Sequence, residues 1–461
     1  MTVQAARPNV TVCIRSHQDG HTLELRGADD TVVRLEVNEP TVIRAAYGSF
    51  LNDVERVRRA WRDHTPLRTP AVGAALRALA GSGRVFLTRL LRDAKGSHEQ
   101  LVGQLRACCP TWNRGTPVVP LVHVLSGPAE FIPWELLPLF DPWTTSPIED
   151  TLGLHDACRA FPGFSAVVER QFGAPYGQST CLSVVDESLP LRFVWHAEYP
   201  GARAELGFFR SRPAIRLEGP YPDHAPEAAA ASPAFVDQIA DPGLGLDGSR
   251  LRHPDQVLHV SCHCVVRTAP GGADGTFEYH LADEEEQSVV VPVDDVMRDL
   301  LPAWQRSATK DVPQPLVFLN ACSTGVHDPW SLRSILEPFR HNGNRGVIAT
   351  AATLPDRLAE RFSRRFYETL LTGARVGEAL HVAKWRLLED RRNPSGMLYS
   401  LHGSSELQVA PVPRSHRPPV AADVTSGAMA GGMTRAMTGG AAGDTNGGTA
   451  GQSIGVGGNT L

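Results

Sequence analysis

The sequence predicts an α/β protein whose central sheet is mostly parallel and has helices on both of its faces. Several short apolar runs lack the polar alternation of a half-exposed strand, which is typical of parallel strands that are covered on both faces. Segments with apolar residues at helical spacing alternate with these runs, as the connections of a parallel sheet require. The runs comprise residues 118–125, 191–196, 256–263, 315–320 and 346–352. We assign this domain to residues 116–410.

The first 115 residues have a different pattern. Residues 1–40 contain three alternating runs separated by Asp-Gly and Asp-Asp pairs, which predict a small antiparallel strand region. Apolar residues then recur at helical spacing over residues 41–115, which predicts a helical region.

The C-terminal segment, residues 411–461, is rich in Gly, Ala and Pro and has no cluster of Ile, Leu or Phe. A segment of this composition cannot bury enough apolar surface to offset the entropy cost of ordering its backbone. We therefore predict that this tail is disordered.

Length and charge exclude several functional classes. A chain of 461 residues predicts two to three domains, and 45 Lys and Arg against 50 Asp and Glu give a net charge of −5. This balance leaves no basic stripe for nucleic acid. No apolar run approaches the roughly 20 residues of a membrane span, and the N-terminus lacks a signal pattern. We expect a cytoplasmic protein that binds neither nucleic acid nor membrane directly. Its eight cysteines form no CxxC pair, which predicts reduced thiols.

Two of the predicted strands end in residues that cysteine-based catalysis needs. One run ends at His263, and another leads directly into Cys322. Ligands of an open α/β sheet bind outside the carboxyl ends of its strands, so both side chains are expected at the functional edge. An adjacent imidazole raises the thiolate fraction of a cysteine and later protonates the leaving amine. The backbone N–H of Cys322 is the first candidate donor to a developing oxyanion.

Six motifs between residues 131 and 409 strengthen this interpretation. They are FIPWELL (131–137), HVSCHC (259–264), LVFLNACSTG (316–325), GVIATAATLPD (346–356), FYETLLTGARVGEALHVAK (366–384) and LYSLHGSSELQV (398–409). Together, and in this order, they resemble the CHAT domain, the bacterial caspase-like peptidase. The resemblance implies a caspase-hemoglobinase fold with a catalytic dyad of His263 and Cys322.

The resemblance also implies a regulated cysteine endopeptidase that cleaves a protein substrate. It implies an activating sensor or regulator protein as a partner, and a role in bacterial defence or programmed death. We expect no cofactor. The family usually has Gly directly after the catalytic His, where this chain has Cys264. The backbone N–H of Cys264 is the second expected oxyanion donor, and a side chain at this position restricts the backbone.

The other histidine and the cysteines near His263 also have structural interpretations. His259 precedes His263 by four residues in the same run, and we expect it to form a hydrogen bond in the core rather than to act as the base. The cluster of His259, Cys262, His263 and Cys264 could indicate zinc, but an extended strand would direct the cysteines away from the histidines, so we predict no metal. Cys262 and Cys264 are expected to be structural.

A second function from another class remains open. A lone cysteine such as Cys322 is often a buried structural thiol, and Cys264 in place of Gly favours a catalytically silent caspase-like scaffold or interaction module.

Asp356 also has two interpretations. Its carboxylate could line the substrate pocket and select Arg or Lys, or it could open a helix after Pro355, where its charge suits the helix dipole.

Overall fold

The structure is a computed structural model that describes most of the chain up to residue 410. The described residues are 8–18, 20–61, 69–92, 97–110, 112, 119–125, 127, 129, 132–139, 148, 150–171, 179–224, 231–267, 276–306, 312–320 and 335–410. Cys322 and the predicted tail, residues 411–461, lie outside the described residues.

The N-terminal strands and helices form where the sequence predicts them. The strands are β1 (Val10–His17), β2 (Gly20–Gly27) and β3 (Val32–Val37), and the helices are α1 (Pro40–Ala60), α2 (Thr69–Leu90) and α3 (Ser97–Cys108). β2 pairs antiparallel with both β1 and β3. The hairpin between β1 and β2 keeps full register, because each residue from Val10 to His17 has a partner in β2.

The remaining elements follow from residue 121 to residue 409. The strands are β4 (Leu121–Val124), β5 (Val167–Arg170), β6 (Cys181–Leu182), β7 (Leu189–Trp195), β8 (Ile215–Tyr221), β9 (Val257–Ser261), β10 (His263–Arg267), β11 (Thr276–Ala282), β12 (Ser288–Pro292), β13 (Leu316–Leu319), β14 (Gly346–Thr350), β15 (Tyr399–Gly403) and β16 (Gln408–Val409). The helices are α4 (Thr151–Cys158), α5 (Pro162–Ser165), α6 (Pro200–Arg210), α7 (Ala231–Ala240), α8 (Val293–Arg306), α9 (Glu337–His341), α10 (Asp356–Leu370) and α11 (Val376–Arg391). In the part of the chain that is described, no helix combines the length and the apolar character needed to cross a bilayer.

Eleven of the described strands form one sheet in the order β3-β2-β1-β4-β5-β15-β14-β13-β9-β7-β8. The strands from β14 to β8 run parallel to one another, and so do β1, β4, β5 and β15. The two parallel groups meet at β14 and β15, which pair antiparallel. The mostly parallel sheet confirms the predicted fold class. The N-terminal strands join this sheet through β1 and β4, while the domain boundaries at residues 40, 115 and 410 stay predictions.

Alternate residues of the central strands face two separate cores. Leu316 and Phe318 of β13 belong to the core that contains side chains of α6, α10 and α11. Val317 and Leu319 belong to the core that contains side chains of α7, α8 and α9. All four side chains are fully buried. Helices therefore cover both faces of the sheet, which explains why these strands are apolar without polar alternation.

The run at residues 256–263 differs from its predicted form. The sequence predicts one strand that ends at His263, but β9 ends at Ser261 and His263 begins β10. This strand belongs to a separate antiparallel sheet, β10-β11-β12, in which His263 is opposite His280. The prediction of one continuous strand is wrong because the backbone leaves the main sheet at Cys262. The alternation of β9 consequently does not set the direction of the His263 side chain.

A cluster of buried charges lies between the sheet and α11. Arg170 of β5 donates two hydrogen bonds to the carboxylate of Glu135, at 2.5 and 2.6 Å. Lys384 of α11 is also buried. Burial, and secondarily the positive charge of Arg170, lower the pKa of Lys384 from 10.5 to about 8, although Glu135 acts in the opposite direction.

Lys384 gives the stability of this fold a defined pH dependence. Between pH 8 and pH 10.5 the unfolded lysine keeps its proton and the folded one has lost it, so the free energy of unfolding rises with pH across this window. We expect the wild type to gain about 3 kcal/mol relative to Lys384→Met between pH 7.5 and pH 10.5. Urea denaturation of both proteins over this range measures the difference. Parallel stability profiles of the two proteins would contradict this assignment.

Candidate active site

The candidate site is built on the parallel pairing of β9 and β13. The register pairs Leu316 with Val257 and continues residue by residue to Leu319 with Val260. The backbone N–H of Asn320 extends the ladder by donating to the carbonyl of Val260 at 2.8 Å. The two strands therefore end side by side at the carboxyl edge of the sheet, where sequence reasoning expected the functional edge.

A cavity of about 390 Å³ opens at this edge. Its wall includes the ends of three neighbouring parallel strands, namely Ser261 of β9, Asn320 after β13 and Thr350 of β14. Two of the predicted site residues, His263 and Asp356, also line it. The structure thus brings the His263 imidazole and the Asp356 carboxylate to the carboxyl end of β13, the strand that precedes Cys322 in the sequence.

His263 is half-buried and lies among aromatic rings. Its ring centroid is 6.1 Å from that of Tyr199 and 6.3 Å from that of His280, which meets it edge to face. Burial, and secondarily the charge of His280, lower the pKa of His263 below its ordinary value. The imidazole is therefore neutral at pH 7 and able to accept a proton. His280 is itself hydrogen-bonded through Nε2 to the Glu278 carboxylate at 2.9 Å.

The predicted nucleophile, Cys322, lies outside the described residues, which stop at Asn320 and resume at Ile335. The predicted oxyanion donors, the N–H groups of Cys322 and Cys264, stay predictions. Cys264 is the second residue of β10, opposite Tyr279. Its buried Sγ lies 3.9 Å from the Sγ of Cys262, so the side chains of both cysteines pack in the core as expected for structural thiols.

Asp356 has features of both interpretations given by the sequence. It is the first residue of α10, and its Oδ1 accepts a hydrogen bond from the N–H of Arg357 at 2.7 Å. Its Oδ2 accepts one from the N–H of Gly201, in the first turn of α6, at 2.9 Å. The carboxylate therefore caps two helix N-termini, where a negative charge is stabilised. It also lines the cavity, so a role in substrate selection stays a prediction.

Beneath the cavity, Glu205 of α6 lies in a buried polar network. Its Oε1 accepts hydrogen bonds from Asn320 Nδ2 and Ser363 Oγ, and its Oε2 is 3.3 Å from His259 Nε2. The other ring nitrogen of His259 forms a hydrogen bond with the Tyr367 hydroxyl at 3.0 Å. His259 is fully buried, which confirms the expectation that it is a core histidine. In the described part of the chain, no group of three or more His, Cys, Asp or Glu side chains is arranged to hold a metal ion.

Sequence reasoning missed Glu205, Asn320 and His280. Glu205 had a detectable signal, because it lies between Ala202 and Phe209 at the spacing of one helix face, where a charge interrupts an apolar stripe. Asn320 also had one, as the polar residue that closes an apolar run. His280 had none, since its position opposite His263 depends on the pairing of β10 with β11.

Comparisons with known proteins agree with this architecture. Residues 195–419 match the model of the CHAT domain family. The match starts later than the predicted domain start at residue 116. A protein of Vitiosangium sp. (strain GDMCC 1.1324), named as a probable protease, is 30% identical over 117 residues, which cover 25% of this chain. The chain spans only 15% of the length of that relative.

Two solved structures are similar to the fold at low sequence identity. One is the Arg-specific cysteine proteinase gingipain R, with a TM-score of 0.39 and 12% identity over 68% of each chain. The other is the Saccharomyces cerevisiae separase–securin complex, with a TM-score of 0.39 and 10% identity, covering 86% of this chain and 30% of that chain.

The contact between His263 and His280 makes a measurable prediction. His280→Ala removes a like charge and opens the ring of His263 to water, and both changes favour the protonated imidazole. We expect the pKa of His263 to rise in this variant, as measured by NMR titration of its ring protons and assigned with His263→Gln. His21→Ala, on β2 near the far edge of the sheet, serves as the control. An unchanged titration of His263 in His280→Ala would show that the two rings do not interact.

Proposed function

We propose that this chain is a cysteine endopeptidase that cleaves a protein substrate, since residues 195–419 match the model of the CHAT domain family, which the sequence motifs resemble. In this proposal Cys322 is the nucleophile and His263 is the general base and then the general acid. The match covers the strands and helices that surround the cavity, and the relative named as a probable protease supports the same reaction class.

The register of β9 and β13 is the observation that carries the proposal. Each of its four residue pairs is separated by 59 positions in the sequence, and so are His263 and Cys322. Neighbouring strands lie about 4.8 Å apart. The ends of the two strands therefore lie side by side at Ser261 and Asn320, and each of these residues stands two positions before its dyad member in the sequence. This common offset supports a dyad at the cavity.

The reaction follows from the chemistry of these groups. Neutral His263 accepts the thiol proton of Cys322, and the sulfur attacks the carbonyl carbon of the scissile peptide bond. The N–H groups of Cys322 and Cys264 stabilise the oxyanion. The C–N bond breaks as His263 returns the proton to the leaving amine, which leaves a thioester. Water then loses a proton to His263 and attacks the thioester, and the acid product departs as the sulfur recovers that proton.

The proposal extends to regulation by a sensor or regulator protein and to a role in bacterial defence. Both parts are supported by family resemblance alone. The protein substrate is the best supported partner, because a cavity of about 390 Å³ lined by the half-buried His263 lies at the strand ends.

Substitution of the dyad tests the proposal directly. We expect Cys322→Ala to abolish cleavage of a peptide library, and His263→Ala to reduce kcat/KM by roughly 10²- to 10⁴-fold, the contribution of a positioned general base. His259→Gln would be a poor control because it perturbs the core, so the matched control is His21→Ala.

Alkylation with iodoacetamide provides a second readout that needs no substrate. Cys322 is expected to react faster than other cysteines in the wild type but not in His263→Ala, as followed by peptide mass spectrometry. Absence of any Cys322-dependent cleavage, together with equal labelling of Cys322 in wild type and the His263 variant, would instead support the silent scaffold.

Asp356 makes a prediction about the residue before the cleaved bond. If its carboxylate contacts that residue, Arg and Lys substrates should be preferred over Leu, and Asp356→Asn should reduce the ratio of their kcat/KM values by about 10-fold. Asparagine keeps an oxygen that can accept from the Gly201 N–H, so the helix contact is conserved. A variant with unchanged preference and lower stability would assign Asp356 to helix capping alone.

A further inference from the structure

Glu205 occupies an environment that is costly for a carboxylate. It is 1% exposed and lies on α6 with its side chain directed into the core. An unpaired charge at such a depth would be strongly destabilising. Burial acts to raise the pKa of Glu205, but His259, Ser261 and Ser363 together lower it below its ordinary value. The carboxylate is thus ionised and compensated by its neighbours.

The neighbours of Glu205 fix the end of the nucleophile strand. Asn320 Nδ2 donates to Glu205 Oε1 at 2.5 Å, and Asn320 Oδ1 accepts from the Tyr399 hydroxyl at 2.7 Å. Both ends of the Asn320 amide are therefore held by buried partners. The ring of Tyr399 is fixed in turn by stacking on Phe362, with centroids 3.6 Å apart and planes at 4°.

The same carboxylate also reaches the histidine strand. Its Oε2 lies 3.3 Å from His259 Nε2, and His259 stands two residues before Ser261, the last residue of β9. The ring of His259 is stacked between Phe193 and Phe318, at 5.5 and 5.1 Å, which leaves it little freedom to move. Glu205 therefore contacts both β9 and β13 near their carboxyl ends.

The last residue at each strand end has the same spacing from its dyad member in the sequence. Asn320 stands two residues before Cys322, and Ser261 stands two residues before His263. Both line the cavity, and Asn320 also donates a hydrogen bond to Glu205. A shift of either strand end would be passed to the adjacent dyad member through only one intervening residue.

We propose that Glu205 is a positioning residue for the His263 and Cys322 dyad, because it holds Asn320 and His259 near the carboxyl ends of the two strands that precede these residues. This inference rests on the proposed peptidase function, and it assigns to the buried network a role beyond core stability. Misplacement of reacting groups by about 1 Å can cost roughly 100-fold in rate. The effect should therefore fall on kcat and on thiol activation, and not on KM.

Two variants test this inference without creating a cavity in the core. Glu205→Gln keeps the shape of the side chain but removes the charge that binds the Asn320 amide and His259. Tyr399→Phe removes only the hydroxyl that holds the other end of Asn320 and keeps the stacked ring. The control is Asp255→Asn, which weakens an equally buried ion pair with Arg192, of 2.7 Å, just before the amino end of β9.

The measurement is the rate of iodoacetamide alkylation at Cys322 between pH 5 and pH 9, by peptide mass spectrometry, together with kcat and KM on the best peptide of the library. We expect Glu205→Gln and Tyr399→Phe to lower the rate at pH 6 to 7 and kcat by about 10-fold or more, with KM within about twofold. Asp255→Asn should lose comparable stability in urea denaturation yet keep the wild-type alkylation profile.

The outcomes separate this inference from the proposed function. If wild type and His263→Ala alkylate equally, the dyad itself is overturned, and the positioning role with it. If the wild type shows His263-dependent alkylation that both Glu205→Gln and Tyr399→Phe retain within about twofold, only the positioning role is overturned. If Asp255→Asn slows alkylation as much as they do, the effect is one of general stability, and the positioning role is again overturned.

Discussion

The parallel pairing of β9 with β13 is the constraint on which the rest of this site depends. Its register is fixed because alternate residues of both strands enter different cores, so a slip by one residue would move every apolar side chain to the wrong face. Leu316 and Phe318 face one core, and Val317 and Leu319 face the other. The juxtaposition of the two strand ends is therefore a consequence of apolar burial, which provides far more free energy than any polar contact at these ends.

Polar groups nevertheless hold both ends of β9. Arg192 and Asp255 form a buried ion pair at its amino end, and the Glu205 carboxylate, which accepts a hydrogen bond from Asn320, lies 3.3 Å from His259 toward its carboxyl end. Buried ion pairs add little net stability compared with apolar side chains of the same volume, because desolvation offsets the attraction. Their directional bonds instead restrict how the strand can move along its axis. This restriction matters most at the carboxyl end, where the ladder stops and apolar packing no longer specifies the path of the backbone.

The sequence predicts the sheet better than it predicts the site. Apolar runs identify β4, β7, β9, β13 and β14, because strands buried on both faces carry a strong compositional signal. The departure of the chain at Cys262 has no such signal, since Cys262 and Cys264 are as apolar as the residues of the strand that they interrupt. Partners of the buried network are far apart in the sequence, as Glu205 and Asn320 are, at 115 positions. Their contact follows from the order of strands in the sheet, which local patterns do not contain.

The departure at Cys262 also links the two segments that carry the candidate dyad. Once β10 leaves the main sheet it pairs with β11, and Tyr279 of β11 donates a hydrogen bond to the carbonyl of Ile335. Ile335 is the first described residue after the segment that contains Cys322. One small sheet therefore carries His263 on one strand and, on the next, contacts the first described residue after Cys322. A continuous β9 would hold His263 in the main sheet, so the interruption of the strand is what places His263 in the small sheet that contacts Ile335.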